Sequence, residues 1–304
     1  MTLKLHLEPG QDETHLYEGV EYRPFWEGVE RQKLDALEQI VVRDLLGAPA
    51  RRMVDIGCGF GRLADCYLDR CEQVVMLDSS LSLLHQAREA TRGRAALYVA
   101  GDAARLPFCA GAFDQVLMVR VFHHLPDSRG VLNELHRLLP VNGRLVFTYS
   151  NKANPRRIWE WLRGRYRYDP FRLEPQGEGP VFLMHHPRYV NDLLTEVGFA
   201  VRQVRGVGVM DKLAGRAGRF AQRVPLGVGV APLLGRLALA PWIFLNAQVV
   251  KAAWTAHSTD PLEECLQCPH CAGKLQQRSR GYVCRDCLRL YPLEGGILNF
   301  LDPK

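Results

Sequence analysis

The sequence has 304 residues, of which 47% are hydrophobic and 24% are charged. This composition excludes a disordered chain, and the length allows one large domain together with a small one. The net charge of +6 is compatible with an acidic partner, but it does not separate a nucleic acid from a phosphate-bearing molecule or a membrane surface.

The first residues, Met1 to His6, lack the apolar run of a secretory signal, so we expect a cytoplasmic protein. The nine cysteines are then expected to be metal ligands or buried thiols rather than disulfides. The most apolar segment, 224–250, is interrupted by Arg236, and the uncharged run that remains is shorter than the roughly 20 residues of a membrane span. We expect an amphipathic helix and a buried strand there; peripheral membrane contact is the alternative.

A short apolar strand followed by three alternating glycines is the most informative segment of the chain. The strand is Met53 to Ile56, and the glycines are Gly57, Gly59 and Gly61. Glycine lets a ligand approach the backbone, and a helix expected after the glycines would point free N–H groups at that ligand. A dinucleotide fingerprint would need glycine at position 62, which is Arg62, and Asp55 would repel a pyrophosphate. The pattern therefore favours a ligand with a cationic group.

Two further strands end close to acidic residues. Val74 to Leu77 leads into Asp78 and Ser79, and Asp78 lies about 20 residues after Gly57, where an acid that binds ribose hydroxyls is expected. The alternative role, a helix N-cap, can be filled by the neighbouring Ser80. The third strand, beginning at Leu97, runs into Gly-Asp-Ala, which contains Asp102 and Ala103.

The order of these motifs over residues 50 to 150 resembles the class I S-adenosylmethionine (SAM)-dependent methyltransferases, in particular the ubiquinone/menaquinone-type branch. The resemblance implies an α/β fold with a doubly wound, seven-stranded Rossmann-like sheet whose last strand is antiparallel. It implies SAM as cofactor, with Asp102 at the adenine amino group. The cofactor-binding residues that it indicates are Asp55, Gly57, Cys58, Gly59, Gly61, Asp78, Ser79, Asp102, Ala103 and Val119.

The rest of the chain is divided by composition. Strand and helix patterns alternate to about Ser150, a proline-initiated helix from Pro187 ends at Gly198, and two more strands are predicted at 199–207 and 242–252. We assign residues 1–254 to the methyltransferase domain, with a helical insertion at about 209–241 covering the ligand edge of the sheet. A polar linker then leads to a second domain at 261–304.

This second domain contains two CxxC pairs separated by twelve residues. They are Cys268 with Cys271 and Cys284 with Cys287. Four thiolates at such spacing predict a tetrahedral zinc site, or iron in its place, and a closed four-cysteine site is structural rather than catalytic. Cys265 also forms a CxxC with Cys268, but we expect it to be a buried thiol, and His270 is a further competing ligand.

The cysteine domain resembles the small zinc-ribbon proteins that activate tRNA and release-factor methyltransferases. There the ribbon is a separate subunit that docks by strand pairing, whereas here it is fused. The resemblance leaves two roles open for the ribbon: a stabiliser or substrate platform, or a cap on the fold.

The acceptor is less well defined. The Asp-Pro-Pro-Tyr and Asn-Pro-Pro-Tyr signatures of amide and exocyclic-amine methylation are absent, because Val119-Arg120-Val121 follows the fourth strand. A hydroxyl acceptor would need a general base, for which His123 and His124 are the candidates; a structural role for this pair is the alternative.

Three functions remain from the sequence. The first is methyl transfer to a small-molecule or lipid-linked acceptor. The second is an RNA or protein methyltransferase that docks its substrate through the ribbon and a segment where arginines alternate with aromatic residues, 156–172; nucleic acid is the less favoured partner. The third is a non-catalytic partner protein. The oligomeric state is left open.

Overall fold

The computed structural model describes residues 23–178, 182–208, 224–250 and 260–301. Its strands, in chain order, are β1 (Ala50–Ile56), β2 (Cys71–Asp78), β3 (Leu97–Ala100), β4 (Gln115–Met118), β5 (Arg144–Ser150), β6 (Gln176–Glu178), β7 (Phe182–Met184), β8 (Phe199–Val207), β9 (Trp242–Val249), β10 (Leu275–Arg278), β11 (Gly281–Cys284), β12 (Leu290–Glu294) and β13 (Ile297–Asn299). Its helices are α1 (Val29–Leu46), α2 (Leu81–Ala90), α3 (Ser128–Leu138), α4 (Pro155–Leu162), α5 (Pro187–Val197) and α6 (Val224–Arg236).

The central sheet has the strand order β3-β2-β1-β4-β5-β9-β8. The first five strands are mutually parallel, and β9 is antiparallel to both β5 and β8. The predicted α/β fold is therefore confirmed, including the antiparallel last strand. Helices on both faces explain the continuous apolar runs of the inner strands, because such strands are buried on two sides.

Alternation along β1 and β2 divides the core between the two faces. Val54 and Val75 face the cluster that contains α3 and α5, whereas Met53 and Met76 face the cluster that contains α1 and α2. All four side chains are fully buried. The sheet is consequently a rigid platform, and its carboxyl edge fixes the positions of the residues that follow each strand.

The segment after the glycines differs from the prediction, since no α-helix forms there. Residues 57–70 run through successive turns and one 3-10 turn, Ala64–Cys66, before β2 begins. All three glycines of the motif adopt positive φ, which is 72° for Gly57, 55° for Gly59 and 81° for Gly61. A right-handed helix needs negative φ throughout, so these angles prevent an α-helix from starting at the glycines.

Two other local predictions hold. Helix α5 starts with Pro187 and ends at Gly198, whose φ of 108° is the left-handed cap typical of glycine. Ser80, rather than Asp78, caps α2 by accepting the Leu83 N–H at 3.3 Å. The carboxylate of Asp78 is thereby left for another role.

The apolar segment 224–250 forms α6 and the buried strand β9, as predicted. Helix α6 packs on β8 and α1, and the part of the predicted insertion at 209–223 lies outside the described residues. Within the described ranges, none of the helices combines the length and the apolar content that crossing a bilayer requires.

The cysteine-rich segment extends the sheet instead of standing apart from it. Strands β10 to β13 form an antiparallel meander, and β13 pairs in parallel with β3, so the sheet reaches eleven strands. The register joins Ile297 to Tyr98 and Asn299 to Ala100. This meander covers the edge of β3, which would otherwise expose unpaired backbone groups.

Candidate cofactor site and cysteine cluster

A cavity of 320 Å³ opens at the carboxyl ends of β1, β2, β3 and β4. In a doubly wound sheet this edge is where ligands bind, because the strand order reverses here and the loops on either side diverge. Its lining includes the residues that follow each of these strands, with the acids Asp55, Asp78 and Asp102 among them. The cavity is therefore acidic on the side of β1 to β3.

The glycine loop, residues 57–61, packs closely against β2 on one side and against the segment after β4 on the other. The N–H groups of Gly57 and Cys58 both donate to the Leu77 carbonyl, at 2.7 and 3.0 Å, which ties the loop to β2. A Cβ on Gly57 would lie 2.1 Å from Cγ2 of Val121, so only glycine fits against the segment after β4. The loop is thus fixed against both neighbouring strands, with its backbone along the cavity.

Asp78 is held at the end of β2 by two backbone donors. Its Oδ2 accepts the Gly59 N–H at 2.8 Å, and its Oδ1 accepts the Ser80 N–H at 2.9 Å. A carboxylate has about four lone-pair sites, so both oxygens keep the capacity to accept further hydrogen bonds. The buried side chain lines the cavity and can accept from two neighbouring hydroxyls of a ligand.

Asp55 is the second buried acid of the site. Burial raises the pKa of its carboxyl to about 7, the hydrogen bond from the Tyr67 hydroxyl opposes that rise, and the charge of Asp78 adds to it. The Tyr67 bond is 2.7 Å long and its donor is itself buried. A cationic ligand in the cavity would lower this pKa, because it would stabilise the ionised form.

A cluster of aromatic and charged side chains forms another part of the cavity wall. Trp26, Arg62 and Arg120 line the cavity, and the guanidinium of Arg62 lies 3.9 Å from the centre of the Trp26 ring. Both arginines bind the fully buried Glu38, Arg62 through Nη2 at 2.9 Å and Arg120 through Nε at 2.9 Å. Burial tends to raise the pKa of Glu38, but the two guanidiniums outweigh it and hold that pKa below its usual value.

Arg120 also has an uncommon backbone. Its φ is 60°, which non-glycine residues rarely adopt, and its N–H donates to Oγ1 of the buried Thr148 at 2.8 Å. Its guanidinium lies 4.0 Å from the centre of the Trp242 ring. Such strain persists only where the surroundings impose it, which is common at ligand sites.

The two adjacent histidines are placed differently. His124 lines the cavity, whereas His123 is buried against the rings of Phe182 and Trp242, at 4.6 and 5.2 Å between ring centres. Burial, together with the charges of His124, Arg120 and His185, holds the pKa of His123 well below its ordinary value. His123 is therefore neutral, and only His124 can contact a molecule in the cavity directly.

Nine of the ten predicted cofactor residues line this cavity, and Gly61 does not. A Cβ on Gly61 would meet Met76 Cε and Ala87 Cα at 3.4 and 3.5 Å, so its place is at the packing of the loop on β2 and α2. Sequence reasoning missed three residues of this part of the site. Trp26 lies in the 3-10 turn before α1, Glu38 lies in α1, and Arg120 follows the end of β4. Only the position of Arg120, directly after a predicted strand, could have indicated it.

The four cysteines of the two CxxC pairs converge, with all their sulfurs within 4.8 Å of one another. Two of the separations are 3.6 Å, between Cys268 and Cys287, and 3.4 Å, between Cys271 and Cys284. Zinc at 2.3 Å from four tetrahedral sulfurs requires neighbouring sulfurs about 3.8 Å apart, so the cluster fits this metal. Cys265 is buried outside the cluster, and the exposed His270 is not part of it.

The cysteine meander also contacts the loop that carries Asp102. The N–H of Cys109 donates to the Cys265 carbonyl at 2.7 Å, and the N–H of Gln267 donates to the Pro107 carbonyl at 2.9 Å. Phe300 donates its N–H to the Ala100 carbonyl at 2.8 Å. The loop 101–109 is thus held at both ends by the C-terminal segment, and the cysteine cluster is mechanically connected to the cavity wall.

Comparison with known proteins agrees with this geometry. Residues 54–147 match a family model described as a methyltransferase domain. The chain is 38% identical over 101 residues to the malonyl-acyl-carrier-protein O-methyltransferase of Legionella pneumophila, which is 32% of this chain and 36% of that protein. It is 28% identical over 130 residues to the ubiquinone/menaquinone biosynthesis C-methyltransferase of Cereibacter sphaeroides, which is 40% of this chain and 50% of that protein. The chain thus spans about a third to a half of these relatives.

Among solved structures, the chain resembles one from the complex between the Trm112 methyltransferase activator of Haloferax volcanii and a methyltransferase. The TM-score is 0.53 at 15% identity, covering 79% of this chain and 99% of that one. At this identity the similarity concerns the fold. The chain therefore has the Rossmann-like methyltransferase fold.

Proposed function

We propose that the protein transfers a methyl group from SAM to a small-molecule or lipid-linked acceptor. The observation that carries the proposal is the carboxylate of Asp78, which is fixed by the Gly59 N–H and the Ser80 N–H and faces the same cavity as Asp55 and Asp102. A nucleoside with a vicinal diol and a cationic tail satisfies all three acids at once. The matched methyltransferase domain supports the same assignment.

The residues of the cavity have separate roles in this proposal. With SAM bound, Asp78 would accept hydrogen bonds from the two ribose hydroxyls, and Asp102 would accept one from the adenine amino group. The glycine loop and Asp55 would surround the cationic methionyl part. SAM supplies an activated methyl group, so the protein needs no nucleophile of its own. What the chain contributes is orientation and exclusion of water, and orientation alone is worth about 7–11 kcal/mol in well-aligned reactions.

The acceptor class is inferred from two facts. Two of the relatives are named a malonyl-acyl-carrier-protein O-methyltransferase and a ubiquinone/menaquinone biosynthesis C-methyltransferase, which favours a carrier-linked or lipid-like acceptor for this chain. The Pro-Pro-Tyr signatures of amide and exocyclic-amine acceptors are absent after β4. The wall of Trp26, Arg62 and Arg120 would then face the acceptor, since the acids on the other side are taken by the cofactor.

For a hydroxyl acceptor we assign the general base to His124, the member of the His123–His124 pair that lines the cavity. His124→Ala is expected to lower kcat about 100-fold or more while leaving the affinity for SAM unchanged, because general bases contribute about 10²–10⁴. His123→Phe is the matched control and should retain kcat. The Nδ1 atom of His123 has no hydrogen-bond partner among the described residues, so the change breaks no bond there. A His124→Ala enzyme with full kcat would show that the pair is structural.

The pKa of Asp55 predicts a pH dependence of SAM binding. In the free protein this pKa is about 7, and a cationic ligand lowers it. The affinity should therefore rise with pH up to about 7 and level off above, and binding below pH 7 should release a proton. Calorimetry in buffers with different ionisation enthalpies measures that proton.

Tyr67→Phe is the matched variant, because it removes the hydrogen bond that lowers the Asp55 pKa. The midpoint of the affinity profile should move to higher pH. An unchanged midpoint, or the absence of proton release, would mean that a group other than Asp55 causes the pH dependence of SAM binding.

We further propose that the four-cysteine cluster holds a structural zinc, or iron in its place. The proposal is supported by the separations between the sulfurs and by two hydrogen bonds to them. One joins the Tyr291 hydroxyl and Cys268 Sγ at 3.0 Å, and the other joins the Cys287 N–H and Cys284 Sγ at 3.5 Å. Four protein ligands leave no open position for substrate. The ribbon thus stabilises the edge of the sheet and the loop 101–109.

The function is tested by incubating the purified protein with methyl-labelled SAM and an extract separated into lipid, RNA, protein and small-molecule fractions. Label is expected in the lipid or small-molecule fraction. Label found only in the RNA or protein fraction would mean that the acceptor is RNA or protein and not a small or lipid-linked molecule. SAM binding without transfer to any fraction would indicate a non-catalytic partner protein.

A further inference from the structure

One helix at the ligand edge of the sheet is only partly buried, and several of its apolar side chains are exposed. Helix α4 contains no buried residue, and Trp159 and Leu162 are 50% and 67% exposed. The segment that follows adds Phe171, which is 56% exposed, and the exposed Leu173. We refer to residues 155–173 as the α4 face. An amphipathic helix that projects its apolar side chains into water is typical of a docking surface.

The α4 face is strongly basic. It contains six arginines and only two carboxylates, Glu160 and Asp169, so its net charge is +4. The arginines are Arg156, Arg157, Arg163, Arg165, Arg167 and Arg172. Of these, Arg163, Arg165 and Arg167 are exposed and form no ion pair with any carboxylate of the described residues. Exposed guanidiniums therefore share this segment with exposed apolar side chains, and that of Arg163 lies over the Trp159 ring.

The α4 face is held firmly by the body of the protein. Asn154 caps α4 by accepting the Arg157 N–H at 3.2 Å. The buried Lys152 donates from Nζ to the Glu174 carbonyl at 2.6 Å and to Oε1 of Gln176 at 3.2 Å, which fixes the end of the segment. The exposed apolar side chains thus belong to a segment whose two ends are fixed by hydrogen bonds to its backbone and side chains.

This surface lies on the same edge of the sheet as the cavity. Helix α4 follows the carboxyl end of β5, and the parallel strands β1 to β5 all end on this edge. The β6–β7 hairpin continues from the α4 face towards the cavity, where Phe182 contacts the ring of His123, the neighbour of His124. A molecule held at the α4 face is therefore on the side from which the cavity opens.

We propose that the α4 face docks on the surface of a bilayer containing anionic phospholipids. Its aliphatic and aromatic side chains enter the headgroup region, and its arginines contact the phosphates, as in interfacial amphipathic helices. A single-stranded nucleic acid suits the face less well, for two reasons. It would leave Leu162 and Leu173 in water, and the Trp159 ring, which has Arg163 3.5 Å from its centre, is not free on that side to stack on a base.

The test is flotation of the whole protein with vesicles of phosphatidylcholine, with and without phosphatidylglycerol. The protein should float only with phosphatidylglycerol, and the double variant Leu162→Ser/Phe171→Ser should lose about tenfold or more in partitioning. The double variant Arg163→Glu/Arg167→Glu should lose the preference for the anionic lipid. Leu288→Ser is the matched control, because Leu288 is an exposed leucine of the ribbon and should have no effect.

Two results would overturn this assignment. One is the absence of flotation with anionic vesicles, or flotation that the Leu162→Ser/Phe171→Ser change leaves intact. The other is tight, salt-sensitive binding of polyuridylate that the arginine variant alone removes, which would assign the face to nucleic acid. SAM binding by both variants, measured separately, shows that they are folded. Since vesicle binding needs neither cofactor nor acceptor, its failure leaves the proposed methyl transfer untouched.

Discussion

Asp78→Asn is expected to weaken SAM binding at least about 100-fold. In the proposed binding mode the substitution removes the charged acceptor of two ribose hydrogen bonds, and hydrogen bonds to charged groups contribute about 1.5–3 kcal/mol each. It also places an amide NH2 group against one of the two backbone donors, Gly59 N–H or Ser80 N–H, so one of these two hydrogen bonds is lost. Titration calorimetry gives the affinity directly.

The control for this variant is Asp69→Asn, the same chemical change at an exposed carboxylate that pairs with Arg94 outside the cavity. It should bind SAM with the affinity of the unmodified protein. Thermal unfolding of both variants separates lost binding from lost folding. An Asp78→Asn protein that is folded and binds SAM normally would place the ribose elsewhere.

Loss of the proposed structural metal is expected to have the second large effect. Cys271→Ser removes one of the four proposed ligands, at the exposed side of the cluster, and structural zinc contributes about 10–16 kcal/mol in small zinc domains. Without the metal the meander should unfold, β3 should lose its pairing with β13, and the loop 101–109 should lose its hydrogen bonds to Cys265 and Gln267. We expect at least about tenfold weaker SAM binding, since the loop that carries Asp102 is then unsupported.

Two measurements test this chain of effects. Metal analysis should find one zinc or iron per chain in the unmodified protein and none in Cys271→Ser, and hydrogen exchange should become faster over 97–109. Cys265→Ala is the matched control, because Cys265 is buried next to the ribbon but outside the cluster, and it should retain the metal. Metal loss without faster exchange or weaker SAM binding would mean that the ribbon only covers the sheet edge.

The parts of the fold that the sequence predicted are those with local causes. Consecutive apolar runs in β1 and β2 predict buried strands, glycines predict the turn between them, and Ser80 predicts the start of α2. Helix α5 is bounded by Pro187 and Gly198 for equally local reasons. The same logic placed nine predicted cofactor residues around one cavity, since parallel strands bring their carboxyl ends together.

What could not be predicted depends on contacts that are distant in sequence. Glu38 becomes a partner of Arg62 and Arg120 only after α1 packs on the sheet, and nothing near Arg120 indicates its φ of 60°. The helix predicted after the glycines was wrong because their positive φ values outweigh the apolar pattern that follows. The short β6–β7 hairpin has too few residues to give a periodic signal. The resemblance to the ribbon proteins implied docking by strand pairing, but it did not indicate that β13 would pair with β3.

The central claim, that a SAM-type nucleoside lies across the carboxyl ends of β1 to β3, is tested most directly by a crystal structure of the protein with S-adenosylhomocysteine. The ribose hydroxyls should lie within hydrogen-bond distance of Asp78, with the adenine beside Asp102 and the amino-acid part along the glycine loop and Asp55. A saturated crystal in which the nucleoside is bound elsewhere, or in which this cavity is closed by the chain's own residues, would contradict the claim.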